Sequence, residues 1–176
     1  MKDDPIEIMW RGRYIEARRS GTWEFVGRAR GIGAAVILAV DDGHVLLVEQ
    51  YRTALGANCL ELPAGLVGDE QAGEAIEIAA ARELEEETGY RAARIENAGN
   101  FASSPGMVSE TFTLMVAHDL VKTGEGGGVD GENITVHRVP LAGIADFIAA
   151  RRRDGLMMDA KLLLLLGAGL IGSTSA

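Results

Sequence analysis

From Glu74 to Thr88 the chain runs without a proline or glycine and then meets Gly89. Apolar residues at 75, 76, 78, 79, 80, 81 and 84 fit a helix of about four turns. Gly89 supplies the left-handed conformation that ends such a helix. The second half of the segment reads Arg82-Glu83-Leu84-Glu85-Glu86-Glu87-Thr88-Gly89. Carboxylates three and four residues apart are neighbours on a helix and repel one another. On that count Glu83, Glu86 and Glu87 share a face and Glu85 points elsewhere. Two readings are open. Charge runs are usually solvated helix faces, whereas clustered carboxylates also suit Mg²⁺ or Mn²⁺, which want hard oxygen ligands.

The rest of the chain surrounds this helix with strand signals. Residues 6–9 and 13–17 flank Arg11-Gly12 as a hairpin, and Trp23 to Val26 reads as a third short strand. Gly31 to Val40 is a continuous apolar run, a buried strand, turned at Asp41-Asp42-Gly43 into Val45 to Val48. Leu60 to Leu62 is stopped by Pro63, and Ala64 to Gly73 reads as a loop. Strand-like segments near 91–101 and 110–118 flank the turn Ser103-Ser104-Pro105-Gly106. Lys122 to Gly131 holds five glycines and reads as a mobile surface loop. Ile134 to Val139 is a strand. Leu141 to Arg152 and Asp159 to Leu166 are helices, the second capped by Asp159. The expectation is an α/β (α+β) layer fold. Residues 1–29 would form a small N-terminal antiparallel sheet and residues 30–176 the main domain.

Charge narrows the partners. The 176 residues carry 26 acidic against 17 basic side chains, a net charge of −9, which argues against a nucleic-acid binder. An acidic protein that handles phosphates needs metal ions to offset repulsion. The first thirty residues run the other way, with Arg11, Arg13, Arg18, Arg19, Arg28 and Arg30. One cysteine, Cys59, excludes an intrachain disulfide and a multi-cysteine zinc site, and reads as a small buried hydrophobe in a reducing, cytoplasmic setting. The residues after Met1 form no signal peptide. The apolar stretch from Leu162 to Ile171 is too short to span a bilayer, so no membrane role is expected. His44, His118 and His137 lack metal-ligand spacing.

The spacing around the acidic helix decides between its two readings. Gly68 is followed after five residues by Glu74, and Glu74 after seven by Arg82; then come Glu83, Leu84, Glu86, Glu87, Gly89 and Tyr90. This resembles the Nudix box, G-x5-E-x7-R-E-U-x-E-E-x-G-U with U apolar, at every fixed position. The resemblance implies a mixed β-sheet sandwiched between helices and metal-dependent hydrolysis of a nucleoside diphosphate linked to another group. Divalent cations on the glutamates would neutralise the pyrophosphate and activate a water. Arg82 lies four residues before Glu86 and can orient a carboxylate. Gly68 and Gly89 serve tight turns at the two ends.

Outside the box the chain resembles the branch of the family that hydrolyses ADP-ribose. Pro105, in Ser104-Pro105-Gly106, lies sixteen residues beyond Gly89. Val48-Glu49-Gln50-Tyr51-Arg52 resembles a strand ending in a phosphate-contacting arginine. Thr22-Trp23-Glu24 with Arg28 resembles an adenine-binding segment. Val129-Asp130-Gly131-Glu132, before a strand, resembles a loop carrying a catalytic glutamate. Each residue also has a plainer reading. Trp23 fits either a core position or stacking on adenine. Glu24, Arg28 and Glu132 are surface charges by default. Arg52 is either a solvated strand end or a bidentate phosphate ligand. Pro105 and Gly106 alone merely shape a turn. In many relatives the glycine of Pro-Ala-Gly is the first box glycine. Here Pro63-Ala64-Gly65 stands three residues earlier, so the carbonyl of Ala64 inherits a metal-ligand role only if that extra length is absorbed.

The resemblance thus implies a Mg²⁺-dependent hydrolase, with Mn²⁺ possible, that cleaves ADP-ribose to AMP and ribose 5-phosphate. Ala64, Glu83, Glu86 and Glu87 would hold metal. Glu132, Glu86 and Arg82 would serve catalysis. Trp23, Glu24, Arg28, Arg52, Pro105 and Gly106 would bind substrate. It also implies a homodimer in which the N-terminal sheet packs across a two-fold axis. Alternatives are another substrate, such as GDP-mannose or an oxidised nucleoside diphosphate, or a non-catalytic module that binds ADP-ribose.

Overall fold

The structure is a computed structural model. It describes residues 4–68, 73–129 and 131–172. Residues 1–3, 69–72, 130 and 173–176 lie outside it, including the middle of the expected 64–73 loop and Asp130 of the expected catalytic loop.

The N-terminal piece is a three-stranded antiparallel sheet, β1 (Ile6–Arg11), β2 (Ile15–Ser20) and β3 (Trp23–Arg28). Its amide–carbonyl ladder is supported by charge. Glu16 is buried and accepts from Arg11 at 2.5 Å and Arg18 at 3.0 Å. The main sheet holds β4 (Gly33–Asp41), β5 (His44–Arg52), β6 (Ala57–Glu61), β8 (Tyr90–Ala102), β9 (Thr111–Lys122) and β11 (Met157–Met158) in the order β11-β6-β5-β4-β9-β8. Two further strands join it: β7 (Ala64–Val67) pairs with β4, and β10 (Thr135–Pro140) pairs with β5. The β4–β9 and β11–β6 pairs are parallel and the others antiparallel, so the sheet is mixed.

Alternation along the central strands places helices on both faces. Ala35, Ile37 and Ala39 of β4 and Leu46 of β5 pack with Ala80 and Leu84 of α1 (Ile76–Thr88). The intervening Val36, with Val45 and Leu47, packs with Ile144 and Ile148 of α2 (Ile144–Arg153) and with Leu162. Leu162 closes a 3₁₀ turn that leads into α3 (Leu163–Gly172). The expected sandwich of a sheet between helices is therefore observed, beside the expected small sheet.

Three local expectations change. The 64–73 segment is not all loop, because Ala64–Val67 pairs with Val36–Gly33 as β7. The helix begins at Ile76 rather than Glu74, and Glu74 stays below its first turn, 3.4 Å from Arg82. The glycine-rich segment is exposed but tethered. Thr123 and Gly124 donate to the Gly89 carbonyl, Gly127 to that of Glu87 and Gly128 to that of Glu86. The end of a helix leaves carbonyls without partners, and this loop satisfies them. A Cβ on Gly126 would overlap the Glu87 carbonyl and the Thr88 backbone. Gly126 therefore permits close approach of two backbones rather than free motion. Asp159 caps as expected, accepting from the Lys161 N–H at 2.6 Å. Among the described residues no helix is long and apolar enough to cross a membrane.

Candidate active site

The acidic face of α1 forms one wall of a cleft of about 410 Å³. Of the residues expected from sequence, Arg28, Arg52, Ala64, Glu83, Glu87 and Glu132 line it. Strand register brings them together. Ala64 starts β7, and its N–H donates to Glu87 Oε2 at 3.0 Å. The strand thus takes up the three extra residues before Gly68 and still sets Ala64 against the helix. At Gly65 a Cβ would overlap the Glu83 side chain, so only glycine lets the carboxylate lie against this backbone. Gly68 and Gly89 have φ of 81° and 72°, the left-handed turns expected at the two ends of the box.

The helix carboxylates have separate environments. Glu87 is 4% exposed. Burial pushes its carboxyl up to about 8; Glu83 and Glu132 add to the rise, and the Ala64 N–H and Arg52 offset only part of it. Arg82 does not line the cleft but ties its wall together, reaching Glu83 at 3.0 Å, Glu86 at 3.1 Å and Glu74 at 3.4 Å. Glu86 faces Arg82 rather than the cleft. Glu85 points away, paired with Arg91 at 2.8 Å and with Thr123 at 3.0 Å.

Glu132 reaches the cleft from the loop before β10, where its Oε2 accepts from the Val129 N–H at 2.9 Å. Arg52, at the end of β5, is held bidentately by Glu61 at 2.5 and 2.7 Å. Arg28 is held by Glu110 at 2.7 Å. Trp23, Glu24, Pro105 and Gly106 do not line the cleft of their own chain. Trp23 is 59% exposed at the edge of the small sheet, which removes the core reading. Pro105 and Gly106 sit in the β8–β9 turn, whose Met107 carbonyl and Ser109 N–H bond to the backbone of Val26 on β3. That turn docks the small sheet beside the cleft.

Sequence reasoning missed Gln50, Glu61, Ser103, Glu110, Phe112 and Lys161, which also line the cleft. Lys161 is anchored to Asp159 at 2.5 Å. Glu61 carried a usable signal, a lone carboxylate in the apolar run Cys59-Leu60-Glu61-Leu62. Cys59 is buried, its thiol pushed up to about 11, mainly by burial, and takes no part.

Charge bookkeeping tests whether these residues suit a divalent metal. The lining carries three cations, Arg28, Arg52 and Lys161, against five carboxylates. Each cation already has its own carboxylate: Glu110, Glu61 and Asp159 in turn. Glu83 shares Arg82 with Glu74 and Glu86, Glu132 accepts, among the described residues, only from the Val129 N–H, and Glu87 is kept from ionising by burial, so an anionic substrate would add to a wall that is already crowded with carboxylates. Among the described residues no three acidic or imidazole groups stand in a ready ligand cage, because Glu83 and Glu86 turn to Arg82. The donor chemistry is nevertheless all hard oxygen, crowded and under-neutralised, which is what a divalent cation relieves.

A polar cleft of this kind, walled by a glutamate-rich helix on a sandwiched mixed sheet, defines a phosphate-handling hydrolase. Comparison with known proteins makes the class specific. The NUDIX domain model matches residues 29–158. The GDP-mannose pyrophosphatase of Cronobacter sakazakii is 36% identical over 146 residues, 78% of this chain and 72% of that protein. The ADP-ribose pyrophosphatase of Bacillus subtilis is 40% identical over 89 residues, 50% of this chain and 46% of that protein. That of Saccharomyces cerevisiae is 32% identical over 144 residues, 77% of this chain and 61% of that protein. The chain thus spans less than two thirds of the last two. The crystal structure of an ADP compounds hydrolase superposes with a TM-score of 0.67, covering 98% of this chain and 95% of the other at 24% identity, which shows the shared fold. The chain belongs to the Nudix family, hydrolases of nucleoside diphosphate derivatives that generally use divalent metal ions.

Proposed function

We propose that this Nudix hydrolase is a Mg²⁺-dependent pyrophosphohydrolase of the cytoplasm that cleaves ADP-ribose to AMP and ribose 5-phosphate. The observation that carries the reading is the crowding of Glu83, Glu87 and Glu132 around a cleft whose lining cations are already paired. Such a wall repels a bare diphosphate and suits a metal-loaded one. Glu83, Glu86 and Glu87, with the Ala64 carbonyl, are the ligands in this reading. Bound Mg²⁺ would supply charge stabilisation and a water of lowered pKa.

The chain's own residues do the rest. Arg82 sets the orientation of Glu83 and Glu86 by pairing with both. Glu132 takes the proton from the attacking water, its Val129 contact fixing one carboxylate oxygen and leaving the other to accept. Arg52 and Arg28 bind the diphosphate with guanidinium N–H donors left over after their carboxylate pairs. Glu86 is held by Arg82 behind the cleft wall, from where it would join the ligand set.

Trp23 and Glu24 would complete the adenine site from the partner subunit of a homodimer, joined through residues 1–29, with the Pro105-Gly106 turn at the seam. Exposed Ile6, Trp10, Tyr14 and Trp23 on the small sheet support an assembly that covers them. GDP-mannose is the second reading, because the Cronobacter relative of that name matches over the greater share of both chains. A panel of about twenty nucleotides, assayed for phosphate-ester products with Mg²⁺, Mn²⁺ and chelator, separates these outcomes. Preference for ADP-ribose supports the first reading, preference for GDP-mannose replaces it, and full activity in excess chelator sinks both.

A further inference from the structure

Glu61 is a carboxylate only 6% exposed, in a cleft that is already short of positive charge. On electrostatic grounds it is a poor neighbour for a diphosphate. Its geometry is nonetheless specific. In the antiparallel β5–β6 pair, Arg52 stands opposite Ala57 and Glu61 opposite Val48. All four residues are on one face of the sheet, and the two charged ones are offset by four residues, roughly 13 Å of strand. Arg52 is the last residue of its strand, where a long side chain would otherwise continue into solvent. Instead its guanidinium turns back along the strand and both carboxylate oxygens of Glu61 hold it, at 2.5 and 2.7 Å. The lock uses two of the five guanidinium N–H donors, leaving three. It also raises the Arg52 pKa further, chiefly through the Glu61 hydrogen bonds.

Burying an ion pair adds little net stability, because desolvation offsets the attraction. A lock of this kind is better explained by the geometry it fixes. We propose that Glu61 is a positioning residue that aims the Arg52 guanidinium at the diphosphate of the substrate. The inference rests on the reading of Arg52 as a substrate contact. Glu61 touches no substrate; it removes rotamer freedom from Arg52 before the anion arrives, so the ordering cost of binding is already met.

The test is steady-state kinetics at saturating Mg²⁺ with ADP-ribose or GDP-mannose, whichever is turned over faster. The variants are Arg52→Ala, Glu61→Gln, Glu61→Asp and Glu61→Gln/Arg52→Ala, each checked by thermal melting. Arg52→Ala and Glu61→Gln should each raise KM about tenfold or more, the scale of a charged hydrogen bond, and change kcat far less. Glu61→Asp keeps the charge and should harm KM less than Glu61→Gln. A packing role gives the opposite order, since Gln has the shape of Glu and Asp leaves a void. The double variant should bind no worse than Arg52→Ala, because the residue to be aimed is gone. A wild-type KM for Arg52→Ala removes the substrate contact itself. A raised KM for Arg52→Ala with a wild-type KM for Glu61→Gln, the Asp variant worse than the Gln variant, or effects that multiply in the double variant, overturns the positioning role. Should Glu61→Gln fail to fold, Glu61→Asp alone and combined with Arg52→Ala carries the same test of multiplication.

Discussion

Glu87→Gln should make the metal-free protein more stable, and only at high pH. The Glu87 carboxyl is raised from 4.5 to about 8, chiefly by burial. A carboxyl raised in the folded state holds its proton there while the unfolded chain has lost it. Stability is therefore full below about pH 4.5 and falls as pH rises toward 8. The shift spans about 3.5 pH units at about 1.4 kcal/mol each, so ionised Glu87 costs the metal-free fold up to about 5 kcal/mol. Gln is neutral, has the same shape and can still accept from the Ala64 N–H, so it escapes this cost. In a chain of this length each kcal/mol moves Tm by roughly 2–4 °C, giving a difference of about 10 °C or more at pH 8.5 and almost none at pH 5. The assay is thermal unfolding in chelator from pH 5 to 9, repeated with Mg²⁺. Every other ionisable group is common to both proteins and cancels in the difference. Mg²⁺ should restore the wild type at pH 8.5 and leave Glu87→Gln unmoved, and the variant should lose turnover by orders of magnitude. Parallel Tm curves for the two proteins across the whole range would refute the argument that this buried carboxylate waits for a cation.

Four further outcomes are expected. Glu132→Gln should lower kcat by about 10²–10⁴-fold with KM and metal affinity nearly intact, and turnover above about a third of wild type removes Glu132 as the base. Gly126→Ala should destabilise the fold by about 1–3 kcal/mol in urea titration, because φ is 67° and the new Cβ meets the Glu87 carbonyl; an unchanged midpoint would mean that the loop is not fixed to the helix end. Trp23→Ala should raise KM for ADP-ribose by about 5- to 150-fold, the worth of one base stack, and deleting residues 1–29 should leave monomers that bind substrate weakly. A full-length protein that sediments as a monomer at micromolar concentration contradicts the shared site.

What was legible in the sequence and what was not divides along physical lines. The acidic helix could be read because its chemistry is local: a face needs residues three and four apart, and Glu83, Glu86 and Glu87 meet that within one and a half turns. The layered fold could be read because buried strands announce themselves as apolar runs such as Gly31–Val40. Register left no such trace. Arg52 and Glu61 meet only because β5 and β6 pair antiparallel with Tyr51 opposite Asn58, and Lys161 reaches the same cleft from beyond α2. β7 was missed because four residues pairing with one end of β4 carry too short a pattern to separate from loop. The glycine-rich segment misled for a different reason. Glycine is used both for freedom and for its missing Cβ, and composition does not tell the two apart. Here the second use governs. Gly126 lets one backbone close on the end of another, and the carbonyls of Glu86 and Glu87 accept from that loop. The same two residues thus carry carboxylates proposed as metal ligands and carbonyls that hold the segment carrying Glu132. A shift of the helix end is therefore a shift of both at once, so the distance between the proposed metal ligands and the proposed base is set by backbone hydrogen bonds rather than by a loop that must find its place after substrate binds.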